Sequence, residues 1–547
     1  MKIFAPKLFS IKERFSKKQL VNDIVAGVIV AIIALPLSIA LAIASGVSPE
    51  KGLYTAIVAG FVISFLGGSN VNISGPTAAF ATIVAGIVAQ FGISGLVVAT
   101  IMAGLLLVIM GVFKFGSLIK YIPYTITTGF TAGIAVTIVI GQIKDFLGLT
   151  FPAGMPTVET AEKLHAVAKS IGTFNWQALV VGAVALAIQI VWPKISKKIP
   201  GSLVTVVVGV IMVKALDMNV NTVGDLYTIS RDLPKFSLPQ ISFENIGQLV
   251  PSAFTIAILA GIESLLSCVV SDGMINDKHN SNTELIAQGV GNICSGLFGG
   301  IPATGAIART AANVKNGGRT PVAGMVHAAV LLLILVVLMP YAAWIPMPVI
   351  AAILFMVAYN MSEWKRFVKI CKTAPKSDIL VLVVTFVLTV AFDLVVAIEV
   401  GMLLSLILFM KRMSDVARIR TWTDGGDNSA PDSERLKSVP KHIEVVEFDG
   451  PMFFASSEKF NSIPINEGVT TVILRMRNVP ALDITAMRAL DEIYSTCNAR
   501  GLKLILSHTN EQPLSVMKKS GFFDRVGEEN FLPNIDEALA YAEKANQ

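Results

Sequence analysis

The sequence predicts a polytopic α-helical membrane protein that ends in a small α/β domain. Of the 547 residues, 53% are hydrophobic and only 15% are charged, whereas soluble chains carry about 25% charged residues. Apolar runs such as 23–46 and 96–113 reach the roughly 18–20 residues that are needed to cross a bilayer core. Many such runs indicate a helical bundle, because lipid offers no partner to exposed backbone polar groups.

Hydropathy predicts fourteen apolar segments, some of them too short to span a bilayer alone. The loops 192–200, 363–376 and 411–420 are rich in Lys and Arg, which favours an even number of spans with both termini in the cytoplasm. Residues 1–21 are basic and lack a cleavage site, so we interpret them as a retained cytoplasmic segment. The predicted segments are 22–45, 52–67, 75–90, 94–112, 121–147, 175–192, 200–215, 249–271, 284–298, 303–315, 321–339, 346–360, 378–393 and 396–410.

The last quarter of the chain differs in character from the apolar part. Residues 413–440 include a polar stretch with glycine and proline, and we interpret them as a linker between a transmembrane domain at 22–412 and the tail. In the tail, 441–547, strand-like stretches alternate with amphipathic helices, which predicts a small cytoplasmic α/β domain. Asp483 is well placed to cap the first clear helix of this domain.

Composition argues against several classes of function. The four cysteines are scattered, with no CxxC pair or zinc-type spacing, so neither a disulfide framework nor a metal site is expected. The net charge of +6 fits cytoplasmic loops of a membrane protein better than a nucleic-acid surface. We find no nucleophile–base pair and no phosphate loop, so we expect neither an enzyme nor a bound cofactor.

Two of the apolar segments are interrupted by glycine, proline and small hydroxyl residues. They are the third, "NISGPTAAFATIVAG" (72–86), and the tenth, "IPATGAIARTAAN" (301–313), which hold corresponding places in a seven-plus-seven division. Such segments indicate the substrate site of a transporter. A helix that begins inside the membrane presents unpaired N–H groups and roughly half a positive charge at its first turn. Two such ends facing each other predict an anion site.

The side chains of these two segments supply the candidate anion ligands. The glycines would let an anion approach the backbone, the hydroxyl groups would donate hydrogen bonds, and the arginine would raise the positive potential. The alternatives are that the glycines are helix–helix contacts and that the arginine snorkels to the membrane surface. The candidates are Ser74, Gly75, Thr77, Thr304, Gly305 and Arg309.

A second charge lies well inside the eighth segment. It is Glu263, and Ser267 follows one turn later on the same helix face. A lone carboxylate at this depth either stays protonated or finds a cationic partner. Glu263 and Ser267 are therefore candidates for coupling transport to a proton, the alternative being a buried structural pair or hydrogen bond.

These motifs resemble those of the SulP anion transporters, the sulfate-permease family. "ALPLSIALAIASGVSPEKGLY" (34–54) resembles the signature of the first span, "NISGPTAA" that of the third and "ARTAANVKNGGRT" that of the tenth. The tail resembles a STAS domain. The resemblance implies two inverted seven-helix repeats, a core and a gate domain, an elevator-like motion and a homodimer.

The resemblance also implies which residues form the site. Many members have glutamine where this chain has Leu37, and some have serine at the place of Ala308. Relatives similar to sodium-coupled bicarbonate transporters have an aspartate at the place of Glu263, so the longer glutamate favours H⁺ over Na⁺. The implied anion-binding residues are Ser74, Gly75, Thr77, Gly305, Ala308, Arg309 and Thr310.

One further position follows from the tail. "LDITAM" resembles the STAS loop that carries a phosphorylatable serine or threonine in anti-sigma factor antagonists, and Thr485 is the matching residue. The alternative is a threonine at the start of a helix in a domain that docks a cytoplasmic protein partner.

We therefore expect a secondary active transporter of small inorganic or organic anions in the cell membrane, working by proton-coupled symport or by anion exchange. One alternative is a nucleobase carrier of the same seven-plus-seven fold. Another is a membrane-anchored regulator that senses anions and signals through the STAS domain. The choice among sulfate, bicarbonate and related anions stays open, because backbone dipoles and one arginine suit all of them.

Overall fold

The computed structural model divides the chain into two compact units, Met1–Met402 and Leu403–Gln547. It describes residues 4–13, 16–117, 123–152, 154–157, 159–196, 199–239, 243–392, 394–422, 436, 439–460 and 466–545. The predicted linker at 413–440 lies partly outside these described residues.

The first half of the membrane unit begins with a short 3₁₀ helix, Lys7–Glu13. Its long helices coincide with the first seven apolar segments of the sequence. Two short helices, α5 and α8, lie in the connections that follow the fifth and seventh segments. The helices are α1 (Lys17–Ala44), α2 (Pro49–Leu66), α3 (Ala81–Val112), α4 (Tyr124–Leu147), α5 (Thr160–Ser170), α6 (Trp176–Ile195), α7 (Gly201–Ala215) and α8 (Val223–Leu226).

Helix α3 contains two of the predicted segments, separated at Gly92. This glycine has φ +67° and ψ −172° inside an otherwise helical run, a conformation that only glycine adopts at low cost. The first part is preceded by a 3₁₀ turn, Ala78–Phe80. The third segment is therefore a half-length helix that begins after the interrupted motif, and the fourth is a separate helix beyond the break.

The second half of the membrane unit also contains long helices and one interrupted segment. Its helices coincide with the last seven apolar segments, and one additional helix, α14, lies between the twelfth and the thirteenth. The helices are α9 (Phe243–Ile275), α10 (Ser281–Leu297), α11 (Ile307–Lys315), α12 (Val322–Leu338), α13 (Met347–Ser362), α14 (Trp364–Thr373), α15 (Lys376–Ala391) and α16 (Leu394–Val416).

The chain is a multi-pass membrane protein. Among the described residues, eight helices are both long enough and apolar enough to cross a membrane by themselves. The shorter ones include α11, only nine residues long, which fits the half-length segment that the sequence predicts at this place.

The long helices pack as two groups. In one group α10 lies against α2, α3 and α9, while α1 and α2 lie against α12, and in the other α4 and α6 pack around α13. Small residues allow the closest approach in the first group. A Cβ at Gly104 of α3 would lie 2.6 Å from the Gly289 carbonyl oxygen of α10, so the two helix backbones touch as small residues permit in membrane bundles.

The second unit begins within α16, at Leu403, and consists mainly of a five-stranded sheet with helices on both faces. Strands β1 (Ser74–Gly75) and β2 (Thr304–Gly305) belong to the membrane unit. The strand order of this sheet is β3-β4-β5-β6-β7, and all neighbours are parallel except β3 and β4. The sequence assigned the residues of strand β3 to the linker. They form a strand instead, because they pair with β4. The strands are β3 (Arg418–Trp422), β4 (Ile443–Asp449), β5 (Thr471–Asn478), β6 (Lys503–Ser507) and β7 (Phe531–Leu532).

Two apolar cores hold this sheet. One lies between the sheet and α18 (Ile484–Ala499), with further contacts from α19 (Glu511–Lys519) and α20 (Phe522–Val526). The other lies on the opposite face against α21 (Ile535–Ala545), and the short helix α17 (Ser457–Phe460) precedes β5. Asp483 caps α18 as predicted, since its Oδ1 accepts a hydrogen bond of 2.8 Å from the Ala486 N–H.

Candidate functional site

The two interrupted segments meet as a short antiparallel strand pair. Strand β1 (Ser74–Gly75) pairs with β2 (Thr304–Gly305), so that Ser74 lies opposite Gly305 and Gly75 opposite Thr304. Each strand leads within a few residues into a half-length helix. Because the strands run in opposite directions, the two helix N-termini face each other across the strand pair, where their positive ends add.

Arg309 is buried at this meeting point. Its side chain is only 4% exposed, and Nη2 donates a hydrogen bond to the Pro76 carbonyl oxygen. Nη1 has no hydrogen-bond partner in the part of the chain that the structure describes. The guanidinium therefore points into the site at the start of the third-segment helix, and the snorkelling alternative does not hold.

Glu263 of α9 reaches the same short stretch of chain from another direction. Its Oε2 accepts a hydrogen bond of 2.9 Å from the Thr77 hydroxyl group, and it is attracted by the positive charge of Arg309. Arg309 and Glu263 thus bind adjacent residues, Pro76 and Thr77. With Glu263 ionised the two charges cancel, whereas protonation of Glu263 leaves one net positive charge.

Helix α9 also holds the second strand. The Gly305 N–H donates to Ser264 Oγ at 2.9 Å, and the Ser264 and Thr304 hydroxyl oxygens lie 2.7 Å apart. The Thr304 hydroxyl group also donates to the Ala260 carbonyl oxygen at 3.0 Å. The hydroxyl group of Thr304 is therefore engaged within the protein and fixes the strand.

Ser267 and Thr310 lie in a hydrogen-bonded cluster around Asn72. Asn72 Oδ1 accepts hydrogen bonds from Ser267 Oγ at 2.8 Å and from Thr310 Oγ1 at 3.0 Å. The Thr310 oxygen in turn accepts from the Ile73 N–H at 3.0 Å. Both hydroxyl groups are buried, and their hydrogen bonds to Asn72 connect the third and tenth segments. The sequence had assigned Ser267 to coupling and Thr310 to anion binding.

The remaining predicted ligands differ in their surroundings. Ser74 Oγ accepts a hydrogen bond of 3.0 Å from Gln288. Ala308 is exposed at the first turn of α11. The glycines are closely packed against side chains, because a Cβ at Gly75 would lie 2.5 Å from Arg309 Nη1 and one at Gly305 would lie 2.5 Å from the Asn72 amide nitrogen.

Helix α10 contributes a polar stripe that the sequence analysis missed. Glu284, Gln288 and Asn292 are spaced four residues apart on one face of a buried helix. Glu284 Oε1 accepts from Asn72 Nδ2 at 2.8 Å, and Asn292 Oδ1 accepts from the Ala303 N–H at 2.8 Å. The i, i+4, i+8 spacing of polar residues inside an apolar segment was the signal that could have found it.

His327 of α12 was also missed. Its side chain is fully buried, and neither ring nitrogen has a hydrogen-bond partner among the described residues. A Cβ at Gly60 would lie 3.9 Å from its Nδ1, and it lies within electrostatic reach of Arg309. A lone histidine inside the apolar run 321–339 was the available signal.

The far end of α11 is held by α1. The buried Asp23 carboxylate accepts from the Arg319 N–H at 2.7 Å, and its other oxygen accepts from the Thr320 hydroxyl group at 2.7 Å. Gln19 donates both to Asp23 at 3.0 Å and to the Gly317 carbonyl oxygen at 2.9 Å. The basic turn that ends the tenth segment is thus fixed to the first helix.

Thr485, the predicted phosphorylation position, is exposed at the start of α18. The cap of this helix is Asp483, whose second oxygen accepts from the Phe454 N–H at 3.0 Å. The threonine hydroxyl group is therefore not needed as the helix cap and lies on the surface of the domain.

Comparisons with known proteins agree with this architecture. The sulfate permease family model matches residues 20–385, and the STAS domain model matches 435–538. YvdB of Bacillus subtilis (strain 168) is 39% identical over 94% of this chain and 96% of its own length. The bicarbonate transporter BicA of Picosynechococcus sp. (strain ATCC 27264 / PCC 7002 / PR-6) is 31% identical over 95% of this chain and 94% of its own.

The fold is shared with a solved structure at low sequence identity. The structure of SLC26A9 superposes with a TM-score of 0.87 at 19% identity, covering 98% of this chain and 92% of that one. The family and its members in these comparisons are transporters rather than enzymes. This chain therefore belongs to the sulfate permease family and has a STAS domain at its C-terminal end.

Proposed function

We propose that the protein is a secondary active transporter of small anions and that the anion binds between the third and tenth segments. The observation that carries the proposal is the β1–β2 pair, which sets the N-termini of two half-length helices against each other beside the buried Arg309. Converging helix N-termini attract anions through their N–H groups and dipoles. The substrate class is sulfate, bicarbonate or a related inorganic or organic anion, in keeping with the family and with the name of the bicarbonate transporter BicA.

Within this proposal, Arg309 stabilises the charge of the anion. One of its terminal nitrogens is bound to the Pro76 carbonyl oxygen, and Nη1 remains available among the described residues. The exposed first turn of α11 at Ala308 provides the approach, while Gly75 and Gly305 leave room for the Arg309 guanidinium and the Asn72 side chain. Ser74, Ser267 and Thr310 then act by keeping the two segments in register, and Thr77 joins the anion site to Glu263.

We further propose that Glu263 couples transport to a proton. With Glu263 ionised, its negative charge offsets the positive charge of Arg309, and the two residues together have little attraction for an anion. A proton on Glu263 leaves a net positive charge, so proton and anion stabilise each other's binding. A glutamate side chain can itself bind and release a proton, and we therefore propose H⁺ rather than Na⁺ as the coupling ion.

The motion, orientation and assembly belong to the same proposal. The helix group that contains α1, α2, α3 and α9–α12 would move as a core against the group around α4 and α13, in the manner of an elevator. The transporter would lie in the cell membrane as a homodimer with both termini in the cytoplasm. The STAS domain would bind a cytoplasmic protein, with Thr485 as the site of regulation by phosphorylation.

Uptake into liposomes tests the function. The purified full-length protein is reconstituted, and radiolabelled sulfate and bicarbonate are offered with and without an acidic external pH. We expect uptake of at least one anion, stimulated by external acid. Arg309→Gln should reduce it by about tenfold or more, since one charge-assisted hydrogen bond contributes roughly 1.5–3 kcal/mol, whereas the exposed control Arg231→Gln should leave it unchanged.

The alternatives give different outcomes in the same experiment. Binding of an anion without its movement into the vesicle would identify a sensor that signals through the STAS domain. Uptake of uracil in place of any anion would identify a nucleobase carrier. Unchanged anion uptake by the Arg309→Gln variant would remove Arg309 from the site.

A further inference from the structure

We propose that α14 lies along the membrane surface and binds the headgroups of anionic phospholipids. The helix has ten residues, WKRFVKICKT, between the spans formed by α13 and α15. At about 100° per residue, its basic side chains fall within one arc of the helix surface and its apolar side chains within the opposite arc. The basic residues are Lys365, Arg366, Lys369 and Lys372, and the apolar residues are Trp364, Phe367, Val368, Ile370 and Cys371.

The two faces of α14 are unequally covered by the rest of the chain. The basic side chains are exposed, whereas Phe367 and Val368 are half-buried and Trp364 is 60% exposed. No described residue of the helix is fully buried. An apolar face that the protein covers only in part, beside a strongly basic face, is typical of helices that lie in a lipid interface.

The Arg366–Tyr124 contact places α14 at the level where α4 begins, and a ring contact joins α14 to the interior of α15. Phe367 packs against Phe386 of α15 with ring centroids 5.3 Å apart, and it stacks on Trp364 at 6.1 Å. The Arg366 guanidinium lies 4.3 Å from the ring centre of Tyr124, the first residue of α4. Tryptophan and tyrosine are enriched at this level of membrane proteins because their rings are partly polar.

Three lysines form the stripe that we assign to lipid headgroups. Arg366 is paired with Glu363 at 2.9 Å, which offsets its charge. Lys365, Lys369 and Lys372 make no salt bridge within the described part of the chain. They follow one side of the helix over roughly 10 Å, which matches several separate headgroups better than one small anion.

The apolar face of α14 favours lipid over an acidic protein as the binding partner of this helix. A protein that bound only the lysines would leave Trp364 and its apolar neighbours exposed to water. Acyl chains cover this face while phosphate groups meet the lysines, so one phospholipid layer accounts for both faces of α14. Anionic lipids attract such basic segments at the membrane surface.

Tryptophan quenching in vesicles tests the assignment without use of transport. The full-length protein is reconstituted into phosphatidylcholine vesicles that contain a small fraction of dibrominated phosphatidylglycerol or, separately, of dibrominated phosphatidylcholine. The chain has five tryptophans, so the signal of Trp364 is obtained as the difference from the Trp364→Phe variant. We expect the anionic quencher to be about twofold more effective on Trp364, because basic side chains enrich anionic lipid beside them.

The triple variant Lys365→Gln, Lys369→Gln, Lys372→Gln should remove that excess and keep the quenching by phosphatidylcholine. The control Lys163→Gln, Lys169→Gln, Lys235→Gln removes the same number of positive charges at positions distant in sequence from α14, and it should keep the excess. High salt should also abolish the excess in the parent protein, since it screens exposed charges. Equal quenching by the two lipids, no quenching of Trp364 by either, or an excess that survives in the triple variant would each overturn the proposal.

Discussion

At the scale of single residues, Gly75 and Arg309 share one small space. A methyl group at Gly75 would stand 2.5 Å from Arg309 Nη1, well inside van der Waals contact. Gly75→Ala should therefore displace the guanidinium and lower anion affinity by about tenfold, or about 1.4 kcal/mol, without any change of charge. Titration of the purified protein with the transported anion measures this effect.

The matched control is Gly86→Ala in the same half-helix, because nothing lies within 4 Å of a Cβ at Gly86. Gly86→Ala should keep the affinity of the parent protein. Equal affinities for the Gly75 and Gly86 variants would show that the position of the guanidinium does not matter for binding.

Glu263 carries the second prediction at this scale. A glutamine at this position can still accept the hydrogen bond from Thr77, but it cannot bind and release a proton. We expect Glu263→Gln to transport anions at a rate that no longer rises when the external medium is acidified. Uptake measured at pH 5.5 and 7.5 provides the test, and a pH dependence equal to that of the parent would rule out the coupling role.

Only some of the residues at the site could be predicted from the sequence. Arg309, Glu263 and the two interrupted motifs were visible because charge, glycine and proline stand out in an apolar chain. His327 and the stripe at Glu284, Gln288 and Asn292 were not selected, since their importance depends on which segments pack together. Only the structure shows that Asn72 joins Glu284 to the tenth segment.

At the scale of elements, the turn that ends α11 depends on Asp23. Its carboxylate accepts hydrogen bonds from the Arg319 N–H and from the Thr320 N–H and hydroxyl group. Asp23→Asn keeps the size of the side chain but loses its charge and one acceptor oxygen. The free energy of unfolding should fall by about 1–3 kcal/mol, as expected for a buried group left without a partner.

Thermal unfolding in detergent measures this change, and hydrogen exchange at residues 317–320 locates it. The control Asn316→Ala alters the same turn at an exposed side chain that bonds only within α11, and it should change neither measurement by a comparable amount. Unaltered exchange in the Asp23→Asn variant would contradict a clamp between α1 and α11.

The elements themselves were largely predictable, with instructive exceptions. All fourteen apolar segments coincide with helices, because a helix that crosses a bilayer requires a continuous apolar stretch, which is visible in the local composition. Strand β3 was assigned to a linker, since its own residues do not indicate that it pairs with β4. Helix α14 was not distinguished from a basic loop. Both exceptions depend on partners that are distant in sequence or that lie outside the chain.

At the scale of the whole molecule, the second unit has its own core and its own response to pH. Burial raises the pKa of Glu444 on β4 above its ordinary value, against the lowering effect of the hydrogen bond that its carboxylate accepts from the Asn466 N–H at 3.0 Å. A carboxyl group whose pKa is higher in the folded state favours folding at acidic pH, and this contribution is lost as the pH rises.

Glu444→Gln keeps the acceptor and removes the buried charge, so it should stabilise this domain more at pH 7.5 than at pH 5. Hydrogen exchange of the β4 amides in the full-length protein, compared with the parent at each pH, measures the difference. The exposed control Glu511→Gln should have no such effect. An equal gain in protection at both pH values would contradict the role of ionisation.

The pairing of Ser74–Gly75 with Thr304–Gly305 has a mechanical consequence. Pulling the two half-length helices apart would break paired backbone groups in a water-poor interior, where each unsatisfied group costs several kcal/mol. In the proposed transport cycle, a shift of one of these helices would therefore carry the other with it, together with the bound anion. In the elevator-like motion that we propose, access to the bound anion would then depend on which neighbouring helices the joined pair faces, and not on a widening of the gap between its members.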